Sequence, residues 1–437
     1  MRILHVIHQY FPDHVGGTEH YVRTLAWSQM QKGHQVTLFC RRSGSGQHLD
    51  LSEEPFGKLR ADSGESGGSS GGIQVYQAVN GPFSPIGRFH STLGDRFLAG
   101  CLSRTIAEVQ PDLVHIHHLM GLPVKALMDT DLAPPLVVTL HDYWWVCANA
   151  QLITDYDRQV CDGPRWWLNC ARCGLARAGA SAGLPQALSP LVAPLFARRA
   201  ALLRGLVPRV AAWIAPTAFV ANWHSAHGLP TERMHIVGHG IELPPEDAVQ
   251  APKVSLGQNG QPANNFAYIG GLAHQKGVHI LIDAFNELPS SARLTIAGDE
   301  TAFPDYCAFL RTRATHPGID FIGRLDREGV WQNLNQTDVL VVPSLWYETS
   351  SLVVQEAFAT GTPVVAAGHG ALAERVHHGT DGLLTPPDDV LELRCTLQRL
   401  MDEPALLTQL QSGIKPVMDM AQHERQTEQV YRQVLVR

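Results

Sequence analysis

Short apolar runs alternate with longer amphipathic stretches along most of this chain. Ile3–Ile7, Gln35–Cys40, Ile73–Ala78, Pro111–His118 and Val137–Asp142 read as buried strands. Between them, about Glu19–Gln31 and 91–109 have helical spacing, and Gly33 stops the first helix. The pattern resumes with strands at Ala211–Ala215 and His235–Gly238, then at Phe266–Leu272, Leu294–Asp299, Ile319–Ile322, Asp338–Pro343 and Pro363–Ala366. Helices are expected over Thr217–His224, up to about Leu288, from Leu352 onward, and over 390–411 and 416–436. In the stretch Trp346–Thr362, Thr349 or Ser350 suits an N-cap and Gly361 a C′ position.

Two stretches break the rhythm. Residues 41–72 are polar and low in complexity, and Gly64–Gly72 should be a mobile loop. Residues 243–263 are rich in Pro, Gln, Asn and Gly and read as a linker. At 437 residues the chain is too long for one core and fits two α/β domains, with the linker between them. The expected division is 1–245, 246–415 and a final helix in 416–437.

Composition narrows the class. Hydrophobic content of 44% and charged content of 17% are those of a globular protein, and a net charge of −7 argues against general nucleic-acid binding. No apolar run reaches the length of a membrane span, and the start is strand-like, not a signal peptide. The eight cysteines are then expected as thiols in a reducing cytoplasm.

The candidate chemistry gathers at strand ends, where open α/β sheets bind ligands. Glu348 and Glu356 flank a helix start, on the order of 10 Å apart along the axis at 1.5 Å per residue. The free N–H groups between them favour a phosphate, and each carboxylate can accept from sugar hydroxyls. The arrangement would hold a nucleotide-sugar lengthwise; an ordinary amphipathic helix with solvated glutamates has the same spacing. Gly16-Gly17 precedes a helix as a phosphate-approach loop would, or simply makes a tight turn. Lys276 stands at a strand-to-helix turn, where an ammonium neutralises pyrophosphate, or is a plain surface lysine. His117, His118 and His141 close two strands; the first two read better as packed histidines.

The stretch Trp346–Thr362 resembles the E-x7-E region of the family-four retaining glycosyltransferases. The resemblance covers nearly the whole chain and is strongest in 1–40, 111–151, 213–242 and 266–385. It implies the GT-B fold: two Rossmann-like α/β/α domains facing across a cleft, with the last helix crossing back to the N-terminal domain. The implied activity is metal-independent transfer of a hexose-type sugar from a nucleotide diphosphate to an acceptor hydroxyl, with retention. By resemblance, Glu356 holds the ribose and Glu348 the donor sugar. Lys276 and the helix start at Ser350, Ser351 and Leu352 hold the pyrophosphate. Gly16, Gly17 and Gly271 line the donor, Arg324 edges the base, and His141 bonds the transferred sugar; Glu19 is structural. Where relatives carry an arginine, this chain has Gly271, so one fixed cation is missing unless Arg324 or another residue replaces it. Thr349-Ser350-Ser351 stands where many relatives have Phe-Gly, and His239 where asparagine is frequent. The partners implied are a nucleotide-sugar and a saccharide or lipid-linked saccharide, as in surface polysaccharide or glycolipid assembly. A sugar-nucleotide 2-epimerase of the same architecture and a non-catalytic sugar-nucleotide-binding subunit remain as alternatives.

An insertion at about 143–210 departs from the family pattern. It carries Cys147, Cys161, Cys170 and Cys173, whose four thiolates suit a structural zinc; free thiols are the alternative, and disulfides fit a cytosolic protein less well. Residues 158–213 hold eight arginines against one acid, Asp162. An arginine-bearing helix over Leu195–Trp213 would lie on the inner, anionic membrane face, or be a solvated helix beside an acidic partner.

Overall fold

A computed structural model of the chain describes residues 1–13, 16–54, 72–81, 84–128, 134–180, 183–245 and 263–436. Most of the loop expected at 64–72 and of the linker expected at 243–263 lies outside the described residues. The chain divides into two compact units. The first comprises Met1–Pro216, Val220–His239 and Met420–Arg437; the second comprises Thr217–Phe219 and Gly240–Asp419.

The first unit is built on eight strands: β1 (Arg2–Val6), β2 (Gln35–Arg42), β3 (Gly44–Glu54), β4 (Ile73–Gly81), β5 (Leu113–Ile116), β6 (Leu136–Thr139), β7 (Val210–Ala215) and β8 (Met234–Ile236). Their order is β3-β4-β2-β1-β5-β6-β7-β8, parallel throughout except for β3, which runs antiparallel to β4. The chain lays strands to one side of β1 and then returns to lay β5 to β8 on the other, so the sheet reverses direction between β1 and β5. The helix Met420–Val436 packs on this unit, burying Tyr431, Val430 and Val434 with Ile3, Leu113, Val137 and Ile214.

The second unit has six strands, all parallel: β9 (Asn265–Ile269), β10 (Arg293–Ala297), β11 (Ile319–Gly323), β12 (Val339–Val342), β13 (Val364–Ala367) and β14 (Gly382–Thr385). Their order is β11-β10-β9-β12-β13-β14, so the reversal falls between β9 and β12. Parallel strands buried on both faces, as β12 and β13 are, explain the near-continuous apolar runs in the sequence.

The expectation of two α/β units on parallel sheets is met, with local corrections. Residues 44–54, polar and low in complexity, form a strand; it is an edge strand, largely exposed, so no apolar alternation marks it. The helix expected over 91–109 is two helices, Pro85–Leu93 and Arg96–Val109. The second restarts at Asp95, whose carboxylate accepts from the Leu98 N–H at 3.1 Å. The helix expected over 390–411 is likewise two, because Pro404 has no N–H to continue the first and instead begins the second.

Candidate functional site

In the second unit, the reversal between β9 and β12 places Gly270-Gly271 beside Ser344–Glu348, the position where open α/β sheets bind ligands. After β9 the chain makes a single turn, His274–Lys276, and enters the helix Val278–Asn286 through Gly277. Gly277 has φ +69°, and a Cβ there would come within 2.0 Å of the Pro343 carbonyl oxygen. Only glycine lets this turn press onto the end of β12. The Gln275 carbonyl then accepts from the Leu345 N–H at 2.8 Å.

That close approach brings Lys276 to Glu348. The ammonium donates to the carboxylate at 2.7 Å, as does the Ser344 hydroxyl, and lies 4.9 Å from the centre of the Trp346 ring. Glu348 is buried, 6% exposed. Burial, the largest single effect, pushes its carboxyl pKa up, but the Lys276 charge and the hydrogen bonds from Lys276, Ser344 and Trp346 together outweigh it. The net shift is to below the usual carboxylate range. Gly277→Ala should cost about 1–2 kcal/mol from left-handed backbone alone, more with the carbonyl clash, and loosen the ion pair. Thermal unfolding checks this, and a variant as stable as its parent contradicts the geometry.

Glu356 lies on the helix Leu352–Ala359, one position after the buried Gln355. The helix begins at Leu352, and its cap falls one to two residues later than expected. Its N-cap is Ser351, in left-handed conformation (φ +53°), with no side-chain cap bond, and neither Thr349 nor Ser350 caps it. Its end matches expectation: Gly361 has φ +70°, with Gly361 N–H to Phe358 O and Thr362 N–H to Ala357 O. Ser350 is buried, and its hydroxyl accepts from Arg375 at 3.4 Å.

One functional candidate escaped the sequence reading. Arg327, at the start of the helix Arg327–Gln336, forms an ion pair with Glu356 while stacking 4.4 Å above Trp331. Its guanidinium also reaches the Glu242 carbonyl, at 3.5 Å. Arg324, the cation named in advance, is exposed and within electrostatic reach of Asp299. Gly271 has open space where a side chain would stand, and its carbonyl accepts from Tyr268 at 2.8 Å.

In the first unit, Gly16 caps the helix Gly17–Gln31. A Cβ on Gly16 would meet the Glu19 carboxylate at 2.7 Å; Glu19 is buried and accepts from Gln9. The strand-end histidines are buried and linked. Glutamine Gln29 contacts His5 Nε2 at 2.8 Å, His5 Nδ1 meets His117 Nε2 at 2.8 Å, and His117 Nδ1 meets His141 Nε2 at 3.0 Å. His115 bridges Tyr431 and Thr139, and His118 pairs with Asp142 at 2.9 Å. Nitrogens of His5, His115 and His117 lie within 4.8 Å of one another, a spacing metal ligands can have, but all six ring nitrogens of these three already have hydrogen-bond partners. His239 packs its ring 4.4 Å from Tyr21 and 5.2 Å from His141.

The Gln29 amide sets the polarity of this chain. With its oxygen toward His5 and its nitrogen donating to Tyr431, His5 must donate through Nε2 and accept through Nδ1. His117 then donates to His5 and accepts from His141, which leaves Nδ1 as the acceptor atom of the His141 ring. Burial lowers the His141 pKa to about 3 and that of His5 to about 4, so the rings are neutral near pH 7.

Lys276 paired with the buried Glu348, at the strand ends of a doubly wound parallel sheet, makes the candidate site, and the family comparisons give the class of enzyme that carries it. Residues 15–243, just over half of the chain, match the family model for Glycosyltransferase Family 4, and residues 263–403 match that for Glycosyl transferases group 1. The chain belongs to glycosyltransferase family 4, and it is a glycosyltransferase of GT-B type. It is 26% identical to a glycogen synthase of Mycobacterium tuberculosis over 413 residues, covering 93% of this chain and 87% of the relative. It is 27% identical to a D-inositol 3-phosphate glycosyltransferase of Jonesia denitrificans, covering 92% and 86%. Among solved structures, sucrose-phosphate synthase from Thermosynechococcus elongatus matches with a TM-score of 0.71 at 18% identity over 99% of both chains. Anabaena HepE, solved with UDP-glucose, matches with a TM-score of 0.64 at 19% identity over 99% of both.

Proposed function

We propose that the chain moves a hexose-type sugar from a nucleoside diphosphate to an acceptor hydroxyl with retention at the anomeric carbon. The observation that carries this is the Lys276–Glu348 pair at the β9/β12 reversal, four residues before the helix Leu352–Ala359 begins. Glu356, held by Arg327, accepts from the ribose hydroxyls, and Glu348 from hydroxyls of the donor sugar. Lys276 and the N–H groups near Ser350, Ser351 and Leu352 stabilise the leaving pyrophosphate as charge develops on it. The open space at Gly271 admits the donor, Gly16 and Gly17 approach its phosphates, and Arg324 edges the base. The C1–phosphate bond breaks as the C1–acceptor bond forms on the same face. The acceptor proton passes to the departing phosphate oxygen. His141 accepts a hydrogen bond from a sugar hydroxyl. HepE was solved with UDP-glucose, which makes a uridine nucleotide the first donor to test.

The acceptor we propose is a lipid-linked saccharide presented at an anionic membrane surface. No helix of the described residues is long and apolar enough to cross a membrane. The exposed groups are Trp166 at 85% and Leu191 at 76%, with Arg165, Arg172, Arg198 and Arg204 exposed in the same segments. Arg199 and Trp213, counted in the expected surface helix, are buried and take no part.

The experiment is thermal stabilisation by nucleoside diphosphates and their sugar conjugates, followed by transfer assays with free saccharides and with lipid-linked ones in anionic vesicles. A ligand at 100 times its Kd adds about 2.7 kcal/mol. One nucleotide should stabilise the protein, lose that effect in Glu356→Ala, and yield a product whose anomeric configuration matches the donor by proton NMR. An inverted product, or a 2-epimerised sugar released without acceptor, sinks the reading. Equal rates with and without vesicles sink its membrane part.

A further inference from the structure

The cysteines of the insertion are brought together from two local structures. Tyr143–Ala150 folds back on itself, with Tyr143 N–H to Ala150 O at 3.0 Å and Cys147 N–H to Tyr143 O at 2.7 Å. Ile153 and Val160 then pair antiparallel, and the Cys161 N–H donates to Leu152 O at 2.8 Å, which returns Cys161 alongside Cys147. Cys170 and Cys173 stand three apart on one face of the helix Leu168–Arg177. Asn169 ties the two parts, donating to the Cys161 sulfur at 3.4 Å and to Gly163 O at 2.9 Å. Cys170 lies within electrostatic reach of Cys147 and Cys161, and Cys173 within reach of Cys147 and Cys170. Burial pushes the Cys147, Cys170 and Cys173 thiols up, as it would in a metal-free site; backbone N–H groups of Leu152 and Asn149 at Cys147, and of Asp155 at Cys173, pull the other way.

A second observation points to negative charge at this spot. Arg199 is 3% exposed, donates to the Trp144 carbonyl and stacks 4.4 Å from the Trp144 ring centre. The groups that favour its charged form are Cys147 and Cys170, then Asp142, whose carboxylate also meets His118 at 2.9 Å. With Cys147 and Cys170 as neutral thiols, Asp142 would be left as the one anion named opposite this buried guanidinium, and a poorly compensated buried charge is costly. Four thiolates around a divalent ion carry a net charge of −2 and remove that cost.

We propose that Cys147, Cys161, Cys170 and Cys173 bind one zinc ion as thiolates, with Arg199 as the buried countercharge. Loading releases the thiol protons and forms four Zn–S bonds of about 2.3 Å, which set the sulfurs about 3.8 Å apart. No three of the four now lie within 4.8 Å of one another, so the ion draws them inward. Four protein ligands close the coordination shell, so the site is structural. It pins the loop that follows His141 and Asp142 to the helix Leu168–Arg177. It does not depend on the glycosyl-transfer reading.

The test is metal analysis of the intact chain, expressed with zinc and purified without chelators. The expected result is about one zinc per chain. Zinc should be lost from Cys170→Ser/Cys173→Ser and kept by Cys395→Ser, whose thiol is exposed elsewhere. If the double variant does not fold, the wild type decides: a mercurial should release zinc in step with thiol modification, and cobalt loading should give a thiolate charge-transfer band. Wild-type protein that holds no zinc after incubation with it overturns the proposal. So does a mass lower by about four daltons, the mark of two disulfides, or full zinc in the double variant.

Discussion

Lys276→Met lowers the transfer rate at least about 100-fold, the scale on which removing one preorganised stabilising group acts. It also moves the acid limb of the rate profile to higher pH. The ammonium serves two anions, Glu348 in the unliganded protein and, in the proposed reaction, the leaving pyrophosphate. Without it Glu348 keeps the Ser344 hydrogen bond but not the charge that offset its burial. In the parent, the folded carboxyl pKa lies below its unfolded value. Its stabilising contribution is therefore present above the unfolded pKa and lost as pH falls through the folded one. In the variant burial wins, the folded pKa rises, and the sign reverses. Removing one partner of a buried pair costs about 3–5 kcal/mol, less here because Lys276 is partly exposed. Steady-state rates and urea midpoints from pH 5 to 8 check both effects. A rate within tenfold of the parent and an unmoved acid limb would falsify the assigned role.

What the sequence revealed follows from which interactions are local. Apolar strand runs and the two-unit division are legible because buried parallel strands need continuous apolar residues. Lys276 and Glu348 draw notice because each stands between a strand and a helix, and Glu356 because it lies eight residues after Glu348. Arg327 is not, since its meeting with Glu356 depends on how two helices distant in sequence pack. The cap at Ser351 is hidden for another reason: hydroxyl capping assumes an extended cap residue, and this one is left-handed. The histidines are visible as strand residues, but their order as a relay appears only once β1, β5 and β6 are in register.

The buried histidines of the first unit make it acid-labile, with a steep loss of stability below about pH 6. His5, His115, His117, His141, His224 and His423 are all at least nine-tenths buried, and burial lowers the pKa of each. His5, His224 and His423 fall to about 4 and His141 to about 3, against about 6.5 in the unfolded chain. Above pH 6.5 both states are neutral and nothing is lost. Below it the unfolded chain takes up protons that the folded chain refuses, at roughly 1.4 kcal/mol per pH unit for each histidine. Six such groups rival the whole stability of an ordinary domain, about 5–15 kcal/mol, within two pH units. Urea midpoints measured from pH 8 to pH 5 should therefore fall with a slope of several protons. His117→Asn should be less stable at pH 8 yet show a slope smaller by about one proton. A flat profile would mean that these rings are solvated and charged in the folded protein. His141 could then act as a cation, and not as the neutral hydrogen-bond acceptor that its link to His117 makes it.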